Sequence, residues 1–158
     1  IRSMMNLTYE NIKKTKSNLN FPSELFIDGK YQKSFSGKSF DNISPIDGNV
    51  INSVFYAQQE DVDLAVSKAR ETFNKGHWSN LPPGQRKKIL IKFATLLERD
   101  RLELALLDTI DMGKTINDTY NADLPTSIDN IEWYAEIIDK LFDDISPSSK
   151  EYMGLITK

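Results

Sequence analysis

Apolar residues in the middle of the chain recur at steps of three and four, the spacing of one face of an α-helix. Residues 58–76 show it first, with apolar positions at Val62, Ala65, Val66, Ala69 and Phe73. Glu60 and Asp61 suit the positive N-terminal end of a helix dipole, and Lys75-Gly76 suits the other end. The pattern therefore predicts an amphipathic helix over this segment.

Residues 81–100 show the same periodicity, with a stripe made of Ile89, Leu90, Phe93, Leu96 and Leu97. The segment opens with two prolines, which the first helical turn tolerates because its N–H groups have no partner there. On the other side we expect Arg86, Lys87 and Lys88 to face water.

Two further helical segments follow. One carries Leu102, Ala105, Leu106 and Ile110 and ends at Gly113, because glycine tolerates the left-handed conformation just beyond a helix. The other starts near Thr115, is interrupted by Pro125, and continues through Ile128, Ile131, Ala135, Ile138 and Leu141.

The flanking parts of the chain predict β-hairpins. Asp28-Gly29 in residues 24–32 favours a tight turn, and residues 38–57 form a second strand region around Asp47-Gly48. Residues 143–158 indicate strand, turn and strand, with "SPSSKE" as the turn and with Tyr152, Gly154 and Ile156 on one face. The first 23 residues read as a loose or weakly helical arm. The fold class is therefore α/β, and an ending inside a strand suggests further C-terminal sequence.

Composition excludes several kinds of function. A net charge of −3 provides no basic field for nucleic acid or anionic lipid. We find no apolar run of membrane-spanning length and no signal peptide, so we expect a cytoplasmic protein. The sequence has no cysteine, which rules out a thiolate nucleophile in this chain. Its single histidine, His77, makes a poor zinc site and is expected to be a solvated loop residue.

Gly113-Lys114-Thr115 resembles the end of a phosphate-binding loop, but the spacing fails. That loop needs a glycine five positions before its Gly-Lys pair, and the position holds Asp108, which would repel phosphate. Gly37-Lys38-Ser39 fails in the same way at Gln32. We therefore interpret Gly113 as the end of a helix.

Several segments together resemble the NAD(P)-dependent aldehyde dehydrogenases. They occur in the order and spacing of that family: "LFIDGKY", "NISPIDGNVI", "EDVDLAVSKARETF", "GHWSNLPPGQRKKILIKFATLLERD", "LALLDTIDMGKTI" and "IEWYAEIIDKL". "WYAEIIDK" and "RKKILIKFATLLE" carry a finer resemblance to the bacterial γ-glutamyl-γ-aminobutyraldehyde dehydrogenases. The resemblance covers residues 25–158, which correspond to roughly the first third of a family member.

The resemblance implies an arm over residues 1–23, the N-terminal part of the cofactor-binding domain over 24–142, and an oligomerisation hairpin over 143–158. Family chemistry uses a cysteine thiolate, a glutamate base and an asparagine that stabilises the oxyanion. The matching positions all lie outside this sequence. The resemblance therefore implies NAD or NADP bound mainly by other sequence, and a chain that is inactive alone.

Two groups of site residues follow from the resemblance. A monovalent cation would bind the backbone carbonyl of Ile43 and the carboxylate of Asp111, although Asp111 also fits a simple hydrogen bond to backbone. The substrate entrance corresponds to Asn121, Ala122, Asp123 and Thr126, which also fit ordinary solvent-facing helix positions. Ala122 stands where members acting on amino-aldehydes often carry an acidic residue, which argues against an amine-bearing substrate.

The expected partners are a small aldehyde and either a second copy of the chain or the remaining part of the enzyme, met through the last hairpin. The alternative is a non-catalytic truncated remnant or self-associating interaction module with the same fold. A generic helical interaction protein is a third interpretation, which periodicity alone allows.

Overall fold

The computed structural model describes residues 7–147 and 150–157 and mixes helices with β-hairpins, which confirms the α/β class. The helices are α1 (Tyr9–Lys16), α2 (Gln59–Lys75), α3 (Pro83–Arg99), α4 (Arg101–Met112), α5 (Ile116–Asp118) and α6 (Leu124–Ile137). A π-helical turn, Thr119–Asp123, joins α5 to α6. The strands are β1 (Leu25–Ile27), β2 (Lys30–Gln32), β3 (Ser39–Ile43), β4 (Val50–Phe55), β5 (Asp144–Ser146) and β6 (Gly154–Ile156).

Each sheet is an antiparallel pair of neighbouring strands. The β1–β2 turn has positive φ at both Asp28 (55°) and Gly29 (76°), the conformation that Asp-Gly favours in a two-residue hairpin loop. The longer β3–β4 pair aligns Ser39 with Phe55 and has a β-bulge between Asn42 and Ile43. A bulge twists a strand locally and redirects its side chains, and this one lies beside the last turn of α4.

The core lies between α3, α4 and α6. Ala94 of α3 and Ala135 of α6 are completely buried, and their small side chains let the two helices approach closely. Leu102, Ala105 and Leu106 form the buried stripe of α4. The apolar periodicity selected all of these positions except Ala94, and the predicted helices α3, α4 and α6 are confirmed.

The N-terminal arm is more ordered than the sequence indicates. The Thr8 side chain accepts a hydrogen bond from the Asn11 N–H and begins α1, which packs on α4. Residues 1–6 of the predicted arm lie outside the described residues.

Two predictions about the helices are wrong. Regular α-helix is interrupted next to Pro125, as predicted, by the π-helical turn Thr119–Asp123, but the last helix ends at Ile137 rather than at Leu141. Arg86 and Lys87 do not simply face water. Lys87 pairs with Glu136 and Asp139 of α6, and Arg86 Nε is buried without a hydrogen-bond partner in the described part of the chain.

The predicted strand, turn and strand after α6 are present as β5 and β6, which pair Asp144 with Ile156. Tyr152 precedes β6 rather than lying in it. Residues 148–149 of the predicted turn, and Lys158, lie outside the described residues. Within residues 7–147 and 150–157, no helix has the length and apolar character that crossing a bilayer requires.

Much of the predicted apolar surface is open. Val62, Val66 and Phe73 of α2 are between 48% and 65% exposed, and Ile89 and Phe93 of α3 are each 48% exposed. We call these five residues the open apolar faces. Apolar stripes of this kind normally pack against other protein.

Candidate functional site

The bulged β3–β4 hairpin meets the C-terminal end of α4 at a polar corner. The Asn42 side-chain amide donates a hydrogen bond to Asp111 Oδ1 at 2.6 Å. Asp111 lies in the last turn of α4, and Gly113 ends that helix with φ 73°. Asp111 therefore faces the β segment, and its partner there is a side-chain amide rather than a backbone group.

A cavity of about 370 Å³ lies beside this corner. Its lining residues are Phe21, Pro22, Asn42, Asn52, Val54, Leu107, Asp108 and Asp111. Asn52 donates from Nδ2 to the Pro22 carbonyl at 3.2 Å, while its Oδ1 is buried without a partner in the described residues. The polar lining residues are Asn42, Asn52, Asp108 and Asp111, and carboxylate and amide oxygens are ligands that a hard cation accepts.

The corner does not have the composition of a multivalent metal site. Across the described ranges, no group of three or more histidine, cysteine, aspartate or glutamate residues is arranged to hold a metal ion. Ile43, the other sequence-predicted ligand, follows the bulge and pairs with Val50 in the ladder. Ile43 therefore lies on β3 and Asp111 on α4, the strand and the helix that meet at the polar corner.

The Gly113-Lys114 pair lies against groups of this chain. A Cβ added at Gly113 would lie 3.0 Å from Pro45 Cγ, so the β3–β4 hairpin already occupies the space against this backbone. Lys114 Nζ lies 2.5 Å from Asp123 Oδ2, and this hydrogen bond raises the pKa of Lys114 above its ordinary value. Lys114 is therefore a fixed cation paired with one of the predicted entrance residues.

The other predicted entrance residues lie on or just after the π-helical turn. Asn121 donates from Nδ2 to Asn117 Oδ1 at 2.9 Å, and Ala122 and Thr126 are exposed. Only Asp123 among the four entrance residues forms an ion pair within residues 7–147 and 150–157. The four positions share one short stretch of surface, with polar groups at Asn121, Asp123 and Thr126.

Two interactions that hold this stretch were not predicted. The Thr119 side chain is completely buried, and its hydroxyl lies 2.8 Å from that of Thr109 on α4. Arg101, the first residue of α4, donates to the Tyr120 carbonyl from Nε at 2.8 Å and from Nη2 at 2.7 Å. The Pro125 position was the available signal, because a proline inside a helical pattern disturbs regular α-helical bonding nearby.

Comparison with known proteins gives a consistent result. The model of the aldehyde dehydrogenase family matches residues 31–158. The Bacillus subtilis protein DhaS, described as an aldehyde dehydrogenase, is 38% identical over 151 residues, covering 96% of this chain and 30% of DhaS. The NADP/NAD-dependent aldehyde dehydrogenase PuuC of Escherichia coli is 35% identical, covering 86% of this chain and 28% of PuuC.

Solved structures agree with these relatives. Indole-3-acetaldehyde dehydrogenase AldA of P. syringae, in complex with NAD+ and IAA, superposes with a TM-score of 0.90 at 40% identity, over 96% of this chain and 31% of AldA. The γ-glutamyl-γ-aminobutyraldehyde dehydrogenase of Burkholderia cenocepacia gives 0.85 at 38% identity, over 90% and 29%. The chain thus spans about a third of the length of the proteins it matches.

Proposed function

Because this chain belongs to the aldehyde dehydrogenase family, we propose that it works as the N-terminal portion of an enzyme that oxidises an aldehyde to a carboxylic acid with NAD(P)+. The observation that carries this proposal is the superposition of 96% of the chain on an NAD+-bound dehydrogenase with a TM-score of 0.90. A likeness of this extent places nearly every described element within the family fold.

In this proposal the chain supplies scaffold rather than reacting groups. The sequence has no cysteine, so a thiolate nucleophile comes from polypeptide outside it. When bound, NAD(P)+ supplies the hydride acceptor, and no residue of this chain is assigned to hold it. Residues 1–23 serve as an arm, residues 24–142 as a flank of the cofactor-binding domain, and residues 143–158 as the oligomerisation hairpin.

The test is to assay aldehyde-dependent reduction of NAD+ and NADP+ with the chain alone and with a separately produced polypeptide that covers the remaining two thirds of a family member. We expect activity only from the mixture. Turnover by the homogeneous chain alone would contradict the scaffold role. A mixture that forms a complex but oxidises no aldehyde would favour the alternative, a non-catalytic interaction module.

We propose that the polar corner binds a monovalent cation through Asp111 and the backbone carbonyl of Ile43. The support is Asn52 Oδ1, which has no hydrogen-bond partner among the described residues and belongs to a residue that lines the same cavity of about 370 Å³ as Asp111. A ligand that binds only the folded state raises stability with its concentration. Potassium should therefore raise the melting temperature of the native chain, and Asp111→Asn should abolish the increase while Asp118→Asn retains it. An equal potassium response in all three proteins would contradict the cation role.

We propose that Asn121, Ala122, Asp123 and Thr126 line the substrate entrance and admit uncharged aldehydes better than amino-aldehydes. The support is electrostatic, because Lys114 offsets the charge of Asp123 and position 122 carries no acid. In the complete enzyme, kcat/KM should be higher for indole-3-acetaldehyde than for γ-aminobutyraldehyde. Lys114→Met should shift this ratio toward the amino-aldehyde. A clear preference of the unmodified enzyme for the amino-aldehyde would contradict the assignment.

We also propose that β5–β6 pairs with a second copy of the chain and that the protein is cytoplasmic. Ile145 and Leu155 of this hairpin are 65% and 67% exposed, and within the described residues its two strands form a sheet of their own. Light scattering should show that the native chain self-associates and that the Ile145→Lys variant self-associates more weakly. An unchanged mass distribution would contradict this contact.

A further inference from the structure

The tripeptide Ile-Asp-Gly occurs twice in this chain, as residues 27–29 and as residues 46–48. The first copy contains the turn of the β1–β2 hairpin, and the second lies in the turn of the β3–β4 hairpin. In both turns the glycine has positive φ, 76° at Gly29 and 73° at Gly48. Because the two copies share the same three residues, a difference in their chemistry must come from their surroundings.

Asp-Gly sequences undergo a spontaneous rearrangement of the main chain. The glycine nitrogen loses its proton and attacks the aspartate Cγ, and a five-membered succinimide closes as one carboxyl oxygen leaves as water. Water then adds to the original main-chain carbonyl carbon and breaks its bond to nitrogen, which leaves isoaspartate. The water released in the first step is taken up in the second, so no co-reactant is consumed. Glycine permits the attack because it has no Cβ beside its nitrogen.

The second copy has both reacting groups occupied. The Gly48 N–H donates to the Ser44 carbonyl at 2.9 Å, so the attacking nitrogen is already bonded. Asp47 Oδ1 accepts the Asn49 N–H at 3.2 Å. Hydrogen bonds from the Asn49 and Ser44 side chains, and from the Asn49 N–H, lower the pKa of Asp47 below its ordinary value. An ionised carboxyl loses its oxygen as water more slowly than a protonated one.

The first copy has neither restraint. Within residues 7–147 and 150–157 the Gly29 N–H donates no hydrogen bond. The Asp28 side chain is 50% exposed, and Lys68 Nζ, at 3.8 Å, lies beyond hydrogen-bond distance of its carboxylate. Solvent access does not separate the two copies, since Asp47 is exposed as well. The Asp28 carboxyl can therefore approach the Gly29 nitrogen without first breaking a hydrogen bond of the turn.

We propose that Asp28-Gly29 is a site of spontaneous isoaspartate formation in the folded chain, and that Asp47-Gly48 is protected from the same reaction. The product carries the main chain through Cβ, which adds one backbone atom to a two-residue turn. The longer turn disturbs the pairing of Ile27 with Lys30 and loosens β1 where it contacts α2. This inference does not depend on aldehyde oxidation, so its tests use the chain itself.

The first test compares the two copies within one sample of folded chain, kept at neutral pH below its melting temperature. Trypsin places the copies in different peptides, residues 17–30 and 39–68, and fragmentation of each peptide locates the isoaspartate. The product should form at position 28 at least about tenfold faster than at position 47, where two hydrogen bonds must open first. In denaturant the two rates should agree within about threefold, because neither turn persists. A ratio no larger in the folded chain than in denaturant would overturn the proposal.

A matched pair of variants, Asp28→Asn and Asp47→Asn, tests the attacking nitrogen alone. An asparagine side chain closes the same ring by releasing ammonia, and hydrolysis of the ring then raises the mass of the chain, which intact-mass spectrometry follows. Asp28→Asn should gain mass at least about tenfold faster than Asp47→Asn, because Gly48 N–H stays bonded to the Ser44 carbonyl. Equal rates in two variants that circular dichroism shows to be folded would overturn the protection. If either variant does not fold, the comparison within the native chain still decides.

Amide hydrogen exchange measures the consequence for the hairpin. In the isomerised fraction of an aged sample, exchange at residues 25–32 should be at least about tenfold faster than in the unmodified fraction, while exchange in β3–β4 stays within about twofold. Asp28→Ala cannot form the ring, so its exchange should not change with age. Equal exchange at residues 25–32 in the two fractions would overturn the loosening of β1.

Discussion

Asp61 shows how one buried side chain joins two segments that are far apart in sequence. Only 1% of the residue is exposed. Its carboxylate accepts hydrogen bonds from two backbone N–H groups. Oδ2 receives the Gln58 N–H at 2.8 Å at the start of α2, and Oδ1 receives the Phe35 N–H at 3.0 Å. The loop before β3 is thus fastened to the N-terminus of α2, where the helix dipole also favours a negative charge.

We expect Asp61→Ala to lower the free energy of unfolding by about 2–3 kcal/mol, because it leaves two backbone N–H groups without their charged acceptor. The matched control is Asp63→Ala on the same helix, where the exposed carboxylate accepts only from the Gln59 side chain. That change should stay within about 0.5 kcal/mol. Urea unfolding followed by circular dichroism measures both values, and equal losses would show that Asp61 is not a special anchor.

The sequence revealed residue types but not long-range partners. Helical periodicity placed Asp61 at a helix start, whereas the family resemblance, not periodicity, aimed Asp111 at the β segment. The partner of Asp111, Asn42, is 69 positions away, and no local pattern identifies it. Arg101 and Tyr120 are 19 positions apart. Such pairs arise from how the helices pack, so local propensity cannot predict them.

Gly113 ends α4 and begins the short connection to α5. Its φ of 73° lies in the left-handed region, and an added Cβ would meet Pro45 Cγ at 3.0 Å. We expect Gly113→Ala to lower the free energy of unfolding by about 1–2 kcal/mol. The control is Gly84→Ala in α3, where the Cβ position is open and φ is ordinary, so stability should stay equal or rise by up to about 1 kcal/mol. Equal responses at the two glycines, measured by chemical unfolding, would contradict this assignment.

Helix α2 carries an ion cluster that should make its stability depend on acid. Lys75 and Lys68 hydrogen-bond to Glu71 and lower the pKa of its carboxyl from 4.5 to about 2. Because folding lowers the pKa of Glu71, the ion cluster stabilises the folded state fully above about pH 4.5. This stabilisation is lost as pH falls toward 2.

We expect the melting temperature to fall between pH 4.5 and pH 2, and the Glu71→Gln variant to show a smaller fall over that interval. Glu60→Gln, on the first turn of the same helix, should keep the full pH dependence. Glu71 and its two lysine partners are exposed, so the difference in melting temperature between Glu71→Gln and the unmodified chain should shrink in 1 M salt. Parallel pH profiles for Glu71→Gln and the unmodified chain would contradict the role of the cluster.

At the scale of elements, periodicity predicted helices α2, α3 and α4 nearly to their ends, because glycines and prolines mark those ends. Around Pro125 the sequence predicted an interruption of the helix but not its form. A proline inside a helical pattern normally ends or kinks the helix, and the sequence alone does not reveal that a π-helical turn absorbs it. The expected exposure of Arg86 and Lys87 failed because α6 packs across that side of α3.

At the scale of the whole molecule, the open apolar faces are the dominant feature. The sequence correctly identified Val62, Val66, Phe73, Ile89 and Phe93 as apolar positions of helices, yet half or more of several of these side chains remains accessible. Periodicity indicates which face is apolar but not what covers it. About two thirds of each of the matching dehydrogenases DhaS and AldA lies outside the part aligned here, since the chain covers 30% and 31% of them, and this polypeptide provides a candidate cover for these faces.

This assignment predicts different behaviour for the chain alone and in complex. Alone, the chain should bind a hydrophobic dye and self-associate, because exposed apolar patches of several helices attract one another. The polypeptide covering the remaining two thirds of a family member should suppress both effects by occupying the same faces. Val66→Asp and Phe93→Asp should weaken that complex at least tenfold, since each places a charge where apolar contact is expected.

The control is Lys92→Glu, which changes a charge on α3 beside Phe93 but outside the apolar stripe, and should leave the affinity of the complex within about threefold. Isothermal calorimetry gives the affinities, and dye fluorescence reports whether the faces are open. If the complex forms while dye binding persists, the added polypeptide contacts the chain elsewhere. That result would contradict the remainder of a dehydrogenase as the cover of α2 and α3.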